Sequence, residues 1–511
     1  MAISQESWQV IIIGAGPVGL IAANLLGQYQ IKTLVIEKED LPYSYPRALG
    51  IDDEALRSLQ LIGFSQEEIQ EQRAQVKVEY FSLTGYRCFE PDPDMKRFGY
   101  PILSSFLQPK LEITLRERLN TYPHVTFIKN CQFISYKKNA ENIAVEVEMN
   151  NERSTLYCNY LLGCDGGKSD VRAQAGIPMP GTTLREALVV DLKDSEAIRK
   201  NMREYQKDLH RQRPLASLNA PGGLRRFEIL TDTGEYDLGD LDEPIVRGML
   251  APILKNTDTE IVRRRIYTLH FRIADKFNDD KVFLMGDAAH LVPPYGGQGM
   301  CSGIKDAVNL CWKLAYVLQG KIDEKILDTY EEERRQHMLQ IMEFIKRISQ
   351  NLEGEPANSE RNESIESSYY RKIKPLPKYE NGLVIPSDFS GDLLPQPEVK
   401  EARGSSALLD DFLGKGFAII GINCDPNAVL SDESKKFWEK MNTQLIDFIT
   451  DSNYKNTETS TTTPLFFFEQ SDVFHDKSIM IIRPDRFILC TCKSAEINTI
   501  TQKIKKILEG T

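Results

Sequence analysis

Three acidic side chains stand where a carboxylate could bind the hydroxyls of a nucleotide or a polyol. Each follows an apolar run: Glu37 after Lys32–Ile36, Asp165 within Gly163-Cys164-Asp165-Gly166-Gly167, and Asp287 after Lys281–Met285, the last two beside glycine. The first belongs to the most specific pattern. Gly14-Ala15-Gly16-Pro17-Val18-Gly19 follows the strand-like run Trp8–Ile13 and opens a helical stretch, Val18–Tyr29. Gly14 suits a tight turn, Gly16 lets backbone approach a pyrophosphate, and Gly19 lets the helix pack close to the strand. The free N–H groups and positive dipole end of that helix attract phosphates. Glu37 comes 23 residues after Gly14, at the next strand end, where it would accept from ribose hydroxyls with Lys38 beside it. Together these residues predict a dinucleotide site.

The segment Gly286-Asp287-Ala288-Ala289-His290, followed by Pro293-Pro294-Tyr295-Gly296-Gly297-Gln298-Gly299-Met300, selects among dinucleotides. Asp287 is placed to bind a ribityl chain, and Gly296, Gly297 and Gly299 let backbone pass close to a flat ring. A helix from about Ser302 would point its positive end at that ring and favour an anionic reduced flavin. FAD is therefore the expected cofactor, with Gly286, Asp287, Pro293, Gly296, Gly297, Gly299 and Met300 among its contacts. In the middle segment, Asp165 fits a turn against phosphates, and Arg172 could pair with Asp165 or with a phosphate. His290 reads as a structural contact rather than a base.

The elements that must position these residues follow from periodicity. The opening is a βαβ unit. Val145–Met149 and Thr155–Leu162 resemble a hairpin returning to the first sheet, after a helix at Lys110–Asn120. Residues 178–275 alternate as a separate sheet laid over the cofactor domain. Ile304, Ala307, Val308, Cys311, Ala315 and Leu318 share one helical face, and a long polar helix covers about Asp323–Asn351. The expected division is 1–177 and 276–352 for the two parts of a cofactor domain and 178–275 for a substrate sheet. A linker or crossing segment at 353–402 then leads to a terminal domain at 403–511.

The chain has 511 residues, with 63 basic against 74 acidic side chains and a net charge of −11. That balance argues against a nucleic-acid partner. No apolar stretch reaches the roughly 18 residues of a membrane span. Nine scattered cysteines read as reduced thiols in a cytoplasmic protein. No Ser–His–Asp set and no metal cluster is evident.

The three glycine-acid segments resemble, in order and interval, the fingerprints of class A flavoprotein aromatic hydroxylases. Pro46-Arg47-Ala48-Leu49-Gly50-Ile51-Asp52-Asp53-Glu54-Ala55-Leu56-Arg57 and Arg225-Arg226-Phe227-Glu228 resemble the 3-(3-hydroxyphenyl)propionate hydroxylase branch. The resemblance is clear over residues 8–350 and weaker at Ile482-Arg483-Pro484-Asp485-Arg486-Phe487. It implies an α/β fold: a Rossmann-like FAD-binding domain, an inserted β-sheet substrate domain and a thioredoxin-like C-terminal domain without redox cysteines. It also implies that NADH or NADPH reduces the flavin and that one atom of O2 passes to a phenolic ring. Arg47 is then expected on the flavin and Gln108 near its phosphates. Arg225, Arg226 and Arg272 fall in the predicted substrate sheet and are candidate anchors for a substrate carboxylate, or simply strand residues. Cys301 stands where many relatives have Asn, and reads as a small buried residue rather than a nucleophile. The terminal domain could serve a homodimer or cover the site.

Other flavin chemistries fit less well. The three tryptophans, Trp8, Trp312 and Trp438, do not make the WxWxI segment of flavin-dependent halogenases. A disulfide reductase needs a close cysteine pair in the first domain, where Cys88 stands alone. A non-catalytic flavin-binding module remains the other alternative, set against three intact motifs.

Overall fold

The computed structural model describes residues 7–42, 45–82, 85–207, 213–353, 374–376, 378–401, 406–450, 465–467 and 478–510. Of the expected linker at 353–402, residues 354–373, 377 and 402 lie outside them.

The run at Trp8 becomes the strand Ser7–Ile13, paired in parallel with Thr33–Ile36 on one side and Glu152–Gly163 on the other. The sheet runs Val282–Leu284, Glu152–Gly163, Ser7–Ile13, Thr33–Ile36, Val125–Ile128. The inner strands are buried on both faces, so their sequences are continuously apolar rather than alternating. Helix Pro17–Gln28 packs on this sheet beside helix Gln108–Leu119. The expected hairpin is present as Ile143–Met149 against Glu152–Gly163.

One register matters for function. Ile13 lies opposite Gly163, and Gly163 lies opposite Leu284. The three glycine-acid segments therefore leave three adjacent parallel strands at one level, along the carboxyl edge of the sheet, where open α/β sheets bind ligands.

The second sheet has the order Gly239–Asp240, Ile261–Ile273, Gly181–Lys193, Leu224–Thr231, Leu215–Ala220, Val78–Ser82, Gly85–Phe89. Two of its strands, at 78–82 and 85–89, come from upstream of the 178–275 range expected for it. One face buries Phe81, Leu188, Val190, Leu192, Phe227 and Ile229 beneath short helices. The opposite face, one residue out of phase, carries Val78, Tyr80, Ala216, Leu218, Arg226 and Glu228.

Helix Gln298–Leu318 begins four residues before its expected start at Ser302, because Gly297 adopts φ 66° and caps it directly. Of its predicted apolar face Ile304, Ala307, Cys311 and Ala315 are buried and Val308 and Leu318 half-buried, but Lys305, Asp306, Asn309 and Lys313 are buried too, because other elements surround the helix. Gly303 permits its contact with Gly286; a Cβ there would lie 2.8 Å from the Gly286 Cα. The long helix runs Thr329–Glu353.

The C-terminal sheet pairs Ala418–Ile422 in parallel with Gln444–Thr450 and antiparallel with Ser478–Ile482, which pairs with Ile488–Lys493. A turn from this sheet enters the cofactor domain. Arg483 is fully buried and bonds both Glu333 oxygens at 2.7 Å and both Asp485 oxygens at 3.0 and 2.6 Å. Lys313 meets Glu333 at 2.7 Å. Nearby, Asp410 accepts a bidentate bond from Arg57 and lies 3.3 Å from Arg486. Tyr379, from the crossing segment, stacks on Phe487 with ring centroids 4.0 Å apart. No helix among the described residues is long and apolar enough to cross a membrane.

Candidate functional site

A cleft of about 1320 Å³ lies between the carboxyl edge of the first sheet and the polar face of the second. Its walls draw on the three glycine-acid segments and on the segment at Pro46–Arg57: Gly16, Pro17 and Val18; Arg47; Cys164 and Gly166; Asp287; Pro293, Gly296, Gly297, Gly299 and Met300, with Gln108 beside them.

The glycines divide by what surrounds them. Gly14 has φ +101°, and a Cβ there would lie 2.4 Å from the Cys164 carbonyl oxygen. A Cβ on Gly19 would lie 2.0 Å from the Gly14 oxygen. These two are needed by the protein itself. A Cβ on Gly16 or Gly166 would meet nothing within 4 Å, so both leave bare backbone facing open space. Gly16 caps the Pro17–Gln28 helix with no side-chain bond and no acid in the first turn, leaving its N–H groups to an anion. Glu37 accepts from the Ala15 N–H at 2.8 Å and so stands against the glycine turn. Lys38 is exposed and lies outside the cleft.

Asp287 is exposed on the cleft wall, and no described residue donates a hydrogen bond to its carboxylate. The surrounding protein pushes its pKa up, against the pull of His290 and Arg47. Behind it, Asp306 accepts from His290 Nε2 at 2.7 Å, the Gly286 N–H at 3.0 Å and Arg334 Nε at 2.8 Å. Burial disfavours the Asp306 charge, but His290 and Arg334 overcome it and hold the carboxyl below its ordinary range. His290 is thus a fully buried strut under the turn. Gly296 and Gly297 have φ of +73° and +66°, which bends the backbone so that the start of helix Gln298–Leu318 meets the cleft. Cys301 lies outside the cleft lining and fully buried, and burial raises its thiol pKa. A nucleophilic role is excluded for it on physical grounds.

Several expectations require correction. Asp165 does not face the cleft; it accepts from Ser169 Oγ at 2.6 Å and the Val171 N–H at 3.1 Å, and so shapes its own turn. Arg172 bonds neither Asp165 nor an open phosphate position. Its guanidinium donates to the carbonyls of Ala288 and Gly167 at 2.8 and 3.0 Å, tying the middle motif to the third. Gln108 does line the cleft, with both ends of its amide engaged: it accepts from the Ala48 N–H at 2.8 Å and donates to Glu112 at 2.8 Å.

The three arginines offered as carboxylate anchors are engaged elsewhere. Arg225 lies on the far face of its strand, bound to Asp194 at 3.1 and 3.2 Å, to Glu79 at 3.2 Å and to Ser217 at 3.1 Å. Arg272 donates to Thr183 Oγ1 at 3.0 Å, outside the cleft. Arg226 does reach the cleft but is only 2% exposed. It binds Asp191 through two bonds and the carbonyls of Pro46 and Arg47 through two more. Arg263 also donates to the Pro46 carbonyl, at 2.5 Å. These two arginines therefore hold the segment that carries Arg47 onto the cleft wall.

Sequence reading missed the substrate-side wall. Val78, Tyr80, Leu103, Ala216, Leu218 and Glu228 line it. The available signal was alternation along Val78–Ser82 and Leu224–Thr231, but not which face would be lined.

The donors present fit FAD: backbone left bare at Gly16 and Gly166, an uncapped helix start for the pyrophosphate, an unpartnered Asp287 for hydroxyls, and a second helix start for the ring.

Comparisons with known proteins agree. A family model described as FAD binding domain matches residues 7–345, and one described as HcaD C-terminal domain matches residues 391–507. A 3-(3-hydroxy-phenyl)propionate/3-hydroxycinnamic acid hydroxylase of Shigella sonnei is 31% identical over 531 residues, covering 98% of this chain and 95% of the relative. A hydroxylase of the same description from Mycolicibacterium smegmatis is 32% identical, covering 94% and 89%. Among solved structures, aklavinone-11 hydroxylase with FAD and aklavinone superposes with TM-score 0.80 at 18% identity, covering 99% of this chain and 100% of that one. The anhydrotetracycline hydroxylase OxyS of Streptomyces rimosus gives 0.79 at 20%, with the same coverage. With its three motifs gathered on one cleft and its relatives alike over nearly their full length, the chain belongs to the FAD-dependent aromatic hydroxylases.

Proposed function

We propose that the enzyme hydroxylates a phenolic aromatic acid, most specifically 3-(3-hydroxyphenyl)propionate and 3-hydroxycinnamate, to the 2,3-dihydroxy product, with O2 and NADH or NADPH. One observation carries the reading: a single cleft joins the third-motif glycines, where a flavin ring would lie, to a wall of apolar and ionisable side chains from the second sheet. The names of the relatives supply the substrate.

Bound FAD supplies hydride acceptance and the activation of O2. The chain's own residues bind and orient. Gly16 and the start of the Pro17–Gln28 helix would hold the pyrophosphate, Glu37 the ribose and Asp287 the ribityl hydroxyls. Helix Gln298–Leu318 would set its positive end against negative charge on the reduced ring. Val78, Leu103, Ala216 and Leu218 would exclude water from the aromatic substrate. Arg47, exposed on the same wall, is the residue proposed to meet anionic groups there. The C-terminal domain is proposed to be thioredoxin-like, supported by its parallel central pair flanked by an antiparallel hairpin.

The test is a screen of NADH and NADPH oxidation against a phenol panel, with products identified by mass spectrometry. Added oxygen on 3-(3-hydroxyphenyl)propionate is the expected result. Cofactor oxidation without oxygen insertion for every phenol would overturn the reading.

A further inference from the structure

Glu228 is a carboxyl on the cleft wall that forms no hydrogen bond or ion pair with any described residue. On the cleft side of the second sheet Asp191 is engaged by Arg226, while on the far face Glu79 and Asp194 are engaged by Arg225. Register places Glu228 opposite Ala216, which lies opposite Tyr80, so this row crosses the sheet as acid, methyl and phenol. The small Ala216 leaves room over the centre of the row. In the neighbouring row, Arg226 lies opposite Leu218 and Asp191. The third-motif residues Val292, Pro293, Gly296 and Gly297 line the same cleft.

We propose that Glu228 is a catalytic residue: the hydrogen-bond and proton acceptor for the substrate's phenolic hydroxyl. This deepens the phenol-hydroxylase reading above and rests on it. The proton leaves the phenol oxygen for a Glu228 carboxylate oxygen, and the O–H electron pair stays on the phenol oxygen and feeds the ring. Ring carbon is then nucleophilic enough to take one oxygen atom of O2 as the O–O bond breaks; the second oxygen leaves as water, its two electrons supplied by NADH or NADPH through the bound FAD. The displaced ring hydrogen leaves as a proton to solvent as aromaticity returns, and Glu228 hands its proton back to the phenolic oxygen of the product. Such a step typically accelerates a reaction by about 100-fold or more.

The charged surroundings suit this role. Burial raises the Glu228 pKa, partly opposed by Arg226 and Arg263 and reinforced by Asp191. Tyr267, from the same strand as Arg263, is raised by its own burial and also feels Glu228. Arg47, Tyr80, Cys164, Asp287 and Tyr295 are the other ionisable groups on the lining. A carboxylate with a raised pKa is a stronger base while still ionised. Activity should therefore fall as pH drops through that raised value.

The experiment compares wild type, Glu228→Gln and Glu228→Asp, all loaded with FAD, using 3-(3-hydroxyphenyl)propionate as the probe. Expected for Glu228→Gln are bound flavin as in wild type, single-turnover hydroxylation at least about 100-fold slower, and loss of the acid limb in the pH profile. Phenols of lower pKa should recover part of that loss, and Glu228→Asp should retain more activity than Gln. In wild type, the difference absorbance of the bound phenol should show phenolate below the pH at which the free phenol ionises. That measurement serves even if the variants do not fold. Hydroxylation by Glu228→Gln within twofold of wild type, or a bound phenol in wild type that ionises no earlier than the free one, would overturn the assignment alone. A wild type that hydroxylates no phenol would remove the functional reading first, and this proposal with it.

Discussion

Arg226 clasps Asp191 edge to edge, Nε to Oδ1 at 2.7 Å and the second nitrogen to Oδ2 at 2.8 Å, while reaching past it to the carbonyls of Pro46 and Arg47. Both side chains are almost fully buried. The second sheet thus holds a loop of the FAD-binding domain by a charged clamp. Arg226→Ala would leave Asp191 as an uncompensated buried charge, and a loss of about 3–5 kcal/mol is expected in urea unfolding. Removing both partners, as Arg226→Met with Asp191→Leu, should cost clearly less. Equal losses for the single and double variants would refute the clamp.

Gly14 and Gly16 should fail in different ways. Gly14→Ala drives a methyl to 2.4 Å from backbone oxygen at a positive φ, so the protein itself should lose stability. Gly16→Ala meets nothing in the protein, so the flavin-free chain should melt as wild type does while its FAD affinity falls. Flavin-to-protein ratio and thermal melts of the flavin-free proteins distinguish them. Unimpaired FAD binding by Gly16→Ala would show that the pyrophosphate lies elsewhere.

Acid should weaken the start of helix Asp53–Leu61. Burial opposes the charge on Asp52, but Lys305 at 3.3 Å and Lys374 at 2.5 Å prevail and hold its carboxyl down to about 2, with Glu54 sharing both lysines. The folded value lies below the unfolded one. The stabilisation is therefore complete above about pH 4 and is lost as pH falls towards 2, amounting to roughly 2 kcal/mol. Asp52→Asn retains a side chain able to cap the helix at Ala55 while removing the charge. Stability of wild type minus variant should shrink over that acid window, and a constant difference would contradict it.

Arg483 is expected to govern how the C-terminal sheet is held. Arg483→Ala leaves Glu333 with Lys313 and strands Asp485 in a buried site, at a cost of about 3–5 kcal/mol. Hydrogen exchange should quicken in Ser478–Ile482 before it quickens in Ser7–Ile13. Simultaneous loss of protection would mean that the two parts unfold as one.

Local features were legible and distant pairings were not. The glycine turn and Glu37 announce themselves because each requirement is met within a few residues of one strand end. The choice between anchor and strand residue for Arg225 and Arg226 is not made locally, because their partners Asp194, Glu79 and Asp191 are 31, 146 and 35 residues away and are brought close only by register. Residues 78–89 were missed as part of the substrate sheet for the same reason. The start at Gln298 was hidden in a glycine-rich run whose decisive property is the left-handed cap at Gly297. Glu228 lies inside a noted motif, yet nothing local shows that its carboxyl meets no partner among the described residues.

The shared level of Ile13, Gly163 and Leu284 also bears on the order of synthesis. During translation the first glycine turn emerges early, but the last of its neighbours on the cleft are not made until the chain has passed Met300. A nascent chain released before that point would possess the nucleotide end of the site and no place for the ring. Flavin therefore cannot serve as a template for the first sheet; it can only reward a sheet that has already recruited its last parallel strand, Val282–Leu284.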